Sequence, residues 1–197
     1  MLYDQAQLVL AYLEAARATG DQGFVDVAED TLRYVQRDMA SEQGAFFSAE
    51  DADSLAPGAP EGAHATEGAF YLWSMEEIER LLGADAHVFC ERYGVERAGN
   101  ALADPHGEFT GRNILYEARP IEAISGEAGG PVDDVTAALN RARQVLLRER
   151  NLRSRPQLDD KVLTAWNGLM IGAFARASRV MPELPGRGFS LAGGADD

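Results

Sequence analysis

Carboxylates and aromatic rings crowd together between Phe46 and Trp73. The stretch reads Phe46-Phe47-Ser48-Ala49-Glu50-Asp51-Ala52-Asp53-Ser54, then a Pro/Gly loop, then Glu67-Gly68-Ala69-Phe70-Tyr71-Leu72-Trp73. Acids of this kind can pass protons in general acid/base work or hold a hard cation. The cation option fails on spacing. Asp51-x-Asp53 lacks the Asp/Asn, Gly and Glu positions of a calcium loop, and His64, His87 and His106 are too scattered for a zinc set. No metal and no cofactor is expected, since the chain also has no Gly-rich phosphate loop and no Gly-x-Ser-x-Gly elbow. A second acidic pair, Asp159-Asp160, is followed by Lys161, Trp166 and Asn167. Each group has a plainer use. Glu50, Asp51 and Asp53 suit an exposed turn. One of Asp159 and Asp160 suits a helix N-cap, and Asp4 could cap the first helix. Lys161 is placed to pair with either acid. Trp166 suits a core, and Asn167, if buried, needs hydrogen-bond partners.

Helices must position these residues. Apolar residues recurring every three or four positions predict helices over 4–19, 22–39, 75–82, 85–93, 132–150 and 161–180. Leu8, Val9, Tyr12 and Leu13 mark the first, with Ala15 and Ala16. Phe24, Val27, Ala28, Thr31, Leu32 and Val35 mark the second. Gly20 is the stop between them. Ser74-Met75-Glu76-Glu77 is a capping box for the third. Pro131 opens the fifth, where a missing N–H costs nothing. The sixth carries Leu163, Trp166, Leu169, Met170, Ala173, Phe174 and Ala177. Two short aromatic-rich strands are expected to flank the acidic turn, with another possible at Asn113–Tyr116. Asp104-Pro105-His106-Gly107 reads as a turn, residues 95–130 as mostly irregular, and Ser125–Gly130 as a linker. The fold class is all-α: about three helical hairpins, with short β-hairpin-like strands in the long loops. There is no strand–helix alternation to suggest an α/β sheet. Residues 1–180 are expected to form the folded part, and the Pro- and Gly-rich tail over 181–197 to be disordered or non-native.

Composition narrows the function classes. The apolar share of 46% and charged share of 25% suit a soluble globular domain. No apolar run approaches the roughly 20 residues of a membrane span, and the first residues show no signal peptide. The chain reads as cytoplasmic, without a membrane partner. A net charge of −14, from 18 basic and 32 acidic residues, works against nucleic-acid binding. Arg141, Arg143, Arg148, Arg150, Arg153 and Arg155 cluster locally and read as a solvated helix face; a local anion or partner contact is the rival. The single cysteine, Cys90, excludes an internal disulfide and a Cys-x-x-Cys pair. Its apolar helical setting predicts a buried free thiol.

Five blocks taken together resemble a known family. They are Met1-Leu2-Tyr3-Asp4-Gln5-Ala6, Ser48–Ser54, Glu67–Trp73, Gly107-Glu108-Phe109-Thr110-Gly111-Arg112-Asn113-Ile114-Leu115 and Asp159–Met170. In this order they resemble the thioredoxin-domain-containing proteins related to spermatogenesis-associated protein twenty. The resemblance implies an N-terminal thioredoxin-like domain followed by an (α/α)6 toroid, similar to six-hairpin glycosidases. This chain would begin just after the thioredoxin-like domain and hold about half of the toroid, so it is read as a fragment. The redox motif is absent, and no redox function carries over.

In such a toroid the site lies in the central funnel. Carboxylates there do acid/base work and aromatics serve as platforms for sugar rings. Carboxylates about 5–5.5 Å apart suit retention, and about 6.5–9.5 Å suit inversion. The catalytic candidates are Glu50, Asp51, Asp159 and Asp160. The substrate-binding candidates are Tyr3, Asp4, Asp53, Glu67, Tyr71, Trp73, Lys161, Trp166 and Asn167. The expected ligand is a small carbohydrate. The rival reading is a non-catalytic binding or scaffold module accompanying a thioredoxin-like domain. A half-toroid would also expose helix faces meant to be covered, which predicts self-association.

Overall fold

The computed structural model describes residues 1–60, 62–101 and 109–181. The expected turn at Asp104–Gly107, His106, and the tail beyond Met181 lie outside the described residues. The helices are α1 (Leu2–Thr19), α2 (Gln22–Asp38), α3 (Met75–Leu82), α4 (Ala86–Tyr93), α5 (Ile121–Ala128), α6 (Val132–Asn151) and α7 (Thr164–Val180). Four two-residue strands join them: β1 (Ala49–Glu50), β2 (Asp53–Ser54), β3 (Thr66–Glu67) and β4 (Leu158–Asp159). The protein is thus mostly helical with a few short strands. The chain divides into two compact units, Met1–Asp51 with the segment from Leu158, and Ala52–Gln157.

In the first unit α1 packs against both α2 and α7. Its inward face is Leu2, Ala6, Val9, Leu13 and Ala16, all at most 1% exposed. These positions alternate by four and three, the repeat of one helical face. Val25, Ala28, Leu32 and Val35 meet it from α2, and Met170, Ala173, Ala177 and Val180 from α7. The alanines let the helix axes approach while the Leu, Val and Met side chains fill the remaining space. Gly20, at φ 74°, ends α1 in the left-handed conformation, and its N–H donates to Ala16 O. Asp21 then caps α2 by accepting from Gly23 N at 2.8 Å. Four positions of the expected apolar patterns differ: Leu8, Val27, Leu163 and Leu169 are exposed. In α1, two-sided packing centres the buried stripe on 2-6-9-13-16, one position away from Leu8.

In the second unit α6 is the spine, packing on α3, α4 and α5. Val135, Leu139, Ala142 and Leu146 meet Ile78, Phe89, Tyr93, Val95, Ile124 and Trp73 in one core. The Ser74 capping box is present in full: Ser74 Oγ accepts from Glu77 N, and Glu77 Oε2 accepts from Ser74 N.

Several expectations are corrected. A helix, α5, occupies Ile121–Ala128, where irregular chain and a linker were expected. The last helix begins at Thr164, not 161, because Leu158–Asp159 is drawn into β4. Neither Asp159 nor Asp160 therefore caps it; the N-cap is Leu163, without a side-chain bond. Asp4 lies in the first turn of α1, whose N-cap is Met1. α7 packs against α1, while sequence-adjacent pairing holds for α1 with α2, α3 with α4 and α5 with α6. The strands are made by the acidic residues themselves. The flanking aromatics contribute only single bridges, Ala40 with Phe46 and Trp73 with Asn113, the latter being all the strand character at Asn113–Tyr116. The arginine cluster is not a solvated face throughout. The Arg153 side chain is only 6% exposed.

Candidate functional site

The first unit gathers most of the candidate residues around one short ladder. β1 pairs antiparallel with β4, setting Ala49 opposite Asp159 and Glu50 opposite Leu158. More than a hundred residues of chain separate the two acidic segments, so the ladder is what brings them together. Ser48 extends it: its N–H and Oγ both donate to Asp159 O, each at 3.1 Å. The start of α1 is tied to the same segment by Leu2 N donating to Ser48 O at 2.8 Å. The start of α7 is tied to it by Asn167, which accepts from Phe46 N and donates to Phe46 O. Tyr3 and Asp4 on α1, Glu50 and Asp51, Asp159–Lys161, and Trp166 and Asn167 on α7 thus belong to one framework.

Alternation decides which acids can cooperate. Directly opposed residues share a face, and the next residue along points to the other. Asp159 therefore shares a face with Ala49, while Glu50 shares the opposite face with Leu158. Continued alternation beyond the ladder would put Asp160 with Glu50 and Asp51 with Asp159.

The acids differ in state. Glu50 Oε2 accepts from Tyr34 Oη at 2.5 Å, a charge-assisted bond from α2. Lys161 Nζ donates to Asp159 Oδ2 at 3.0 Å. That ammonium, helped by the Ser48 hydroxyl, holds the Asp159 carboxyl below the usual carboxylate value. Asp160 is exposed and has no hydrogen-bond or ion-pair partner among the described residues. Trp166 is half-buried and meets Tyr3 edge-on at 4.9 Å between centroids. Asn167 spends its amide on backbone, with Nδ2 also donating to Leu163 O.

The remaining candidates belong to the second unit. Asp53 pairs with Glu67 across β2 and β3, and Ser54 with Thr66. Ser54 Oγ accepts from Phe70 N, fixing the turn that carries Phe70 to Trp73. Tyr71 is exposed, but Trp73 is 3% exposed and its face is covered by Arg153 at 3.8 Å. As placed, Trp73 offers no open platform. Arg153 donates through Nη1 to Phe70 O and Leu72 O, and through Nη2 to Glu77. Burial pulls its guanidinium down from the usual value while Glu77 opposes. Sequence reasoning missed Tyr34 and Arg153; neither periodicity nor spacing ties either to a distant loop. Among the described residues no group of three or more His, Cys, Asp or Glu is arranged to hold a metal. No described helix is long and apolar enough to cross a membrane.

The fold and site thus define a mostly helical protein in which a two-strand ladder joins two acidic segments. No family model matches the chain. Curated relatives do. The human spermatogenesis-associated protein 20 is 39% identical over 196 residues, 93% of this chain and 24% of the relative. The rat protein of the same name is 40% identical over 194 residues, 92% and 24% respectively. An uncharacterized protein of Caenorhabditis elegans is 32% identical over 194 residues, 93% and 26%. The chain is therefore related to the spermatogenesis-associated protein 20 family along almost its whole length, as its sequence blocks indicate. It spans about a quarter of the length of the curated relatives it matches.

Proposed function

We propose that the chain is part of an (α/α)6 toroid, related to six-hairpin glycosidases, that binds and processes a small carbohydrate. The observation that carries this reading is the β1–β4 ladder, which joins Glu50 and Asp51 to Asp159 and Asp160 across the length of the chain. Continued alternation would put Glu50 and Asp160 on one face, where they can serve as the acid/base pair, and Asp51 with Asp159 on the other; Lys161 holds the Asp159 carboxyl below the ordinary carboxylate value. Tyr3, Asp4 and Trp166 supply the sugar contacts from the starts of α1 and α7. Lys161 and Asn167 act by positioning.

The internal satisfaction of the site favours a second reading. Glu50 is held by Tyr34, Asp159 by Lys161, and Asn167 by backbone. A binding or scaffold module accompanying a thioredoxin-like domain would need no more than this. Assay of aryl glycosides separates the two. Turnover that falls at least about a hundredfold in Asp160→Asn and Glu50→Gln, the scale of an acid/base contribution, supports catalysis. Saturable sugar binding without turnover supports the module. The absence of both turnover and binding would overturn the carbohydrate reading.

A further inference from the structure

We propose that a cleft in the second unit binds a small organic cation, an alkylamine or guanidine, through Glu149. The cleft has a volume of about 320 Å³, at the lower end of small-molecule sites. Leu55 and Pro57 from the loop after β2 line it, with Leu152 and Trp73. The polar side chains facing it are Glu77, Glu149, Arg153 and Ser154. Their bonding decides the ligand's sign. Arg153 is spent on Phe70 O, Leu72 O and Glu77, so it has little left for an anion. Glu77 is equally committed, one oxygen to Arg153 and the other to Arg112 and Ser74 N. Glu149 alone of the two carboxylates has no hydrogen-bond or ion-pair partner among the described residues. It lies in the last turn of α6, whose negative end adds to the pull on a cation. A charged head at Glu149, a hydrogen bond to the Ser154 hydroxyl and a short apolar body against Leu152 and Pro57 would satisfy every wall. This inference is independent of the carbohydrate reading, which concerns the other unit.

Agmatine, which carries both an amine and a guanidinium, is the probe. It is titrated into protein carrying Trp166→Phe, so that fluorescence reports on Trp73 beside the cleft. The expected result is a saturable change. Glu149→Gln should weaken it by about tenfold or more, the scale of one lost charge-assisted bond. Ser154→Phe, at an exposed position, should block it by filling the cleft. Glu76→Gln, whose carboxylate pairs with Arg97, should leave it unchanged. Circular dichroism melts verify that each variant folds. Competition by a short lysine-containing peptide would assign the cation to a protein partner, and its absence to a free small molecule. The inference is overturned by the absence of a saturable change, by an equal change with sodium chloride at matched ionic strength, or by undiminished binding in folded Glu149→Gln.

Discussion

Asn167 closes a two-way clamp on the backbone of Phe46, 121 residues away: Oδ1 accepts from Phe46 N at 2.8 Å and Nδ2 donates to Phe46 O at 2.9 Å. The clamp fixes the start of α7 against the segment that leads into β1. Phe46 and Phe174 stack beside it at 5.6 Å between centroids. Asn167→Ala leaves a partly buried N–H and carbonyl without partners and should cost about 2–6 kcal/mol, taking about 1–3 kcal/mol for each such group. Asn167→Asp keeps only the acceptor and should fall between. Urea unfolding of the three proteins measures the order.

Arg153 should be the most sensitive arginine of its cluster. Its fork serves two carbonyls and a carboxylate at once, and its plane covers Trp73. Arg153→Ala removes the partner of Glu77 Oε1 and of both carbonyls, which predicts a loss of about 3–5 kcal/mol. Arg153→Lys should rescue little, since an ammonium cannot reproduce the fork. Arg141, whose exposed side chain pairs with Asp85, should cost about 1 kcal/mol or less as Arg141→Ala. Equal losses at Arg141 and Arg153 would contradict this placement.

Burial, with Glu79 and Glu91 nearby, pushes the Cys90 thiol up to about 11. Its folded value thus lies above its unfolded one. The associated stability is fully present below about pH 8.5, the free-thiol value, and is lost as pH rises through about 11. Alkylation by iodoacetamide at pH 8 should be much slower in the native protein than in urea, because the thiolate is the nucleophile. Comparable rates would contradict the half-buried position.

Apolar residues on and just before α7 face outward, with Val162, Leu169 and Ile171 among the exposed large side chains. Leu8 on α1 is also exposed. Exposed apolar surface of this kind favours association. The apparent mass by light scattering should rise with concentration, and Ile171→Asp with Leu169→Lys should suppress the rise. A monomer at all concentrations would contradict it.

The sequence pattern revealed most of the helices but little of what joins them. α1, α2, α3, α4, α6 and α7 announce themselves by apolar spacing, Gly20 and the Ser74 box. α5 was hidden because Ser125, Gly126 and Gly129 look like a linker, although Pro120 at its N-cap and Ile121 and Ile124 carry the same signal as Pro131 does for α6. The start of α7 was misplaced because Asp159-Asp160 is a good cap by composition, whereas the pairing with Ala49–Glu50 that captures Leu158–Asp159 is a long-range contact. The same holds for the arginines: periodicity places Arg150 at the end of a helix and Arg153 just past it, but does not show that Phe70, Tyr71 and Trp73 lie beneath them. For the candidate site, residue types nominate Glu50 and Asp159. The register and the Tyr34 and Lys161 bonds, which distinguish their surroundings, arise only from packing.

The most direct test of the carbohydrate reading is thermal unfolding with a panel of mono- and disaccharides, run on wild type and on the Glu50→Gln, Asp160→Asn double variant. A ligand that binds only the folded state raises Tm by mass action, by about 2.7 kcal/mol of stability at a hundred times Kd. The account predicts that one sugar raises the wild-type Tm and that the double variant, folded and of similar stability, loses the shift. A wild type unmoved by every sugar, or a shift that survives loss of both carboxylates, would contradict it.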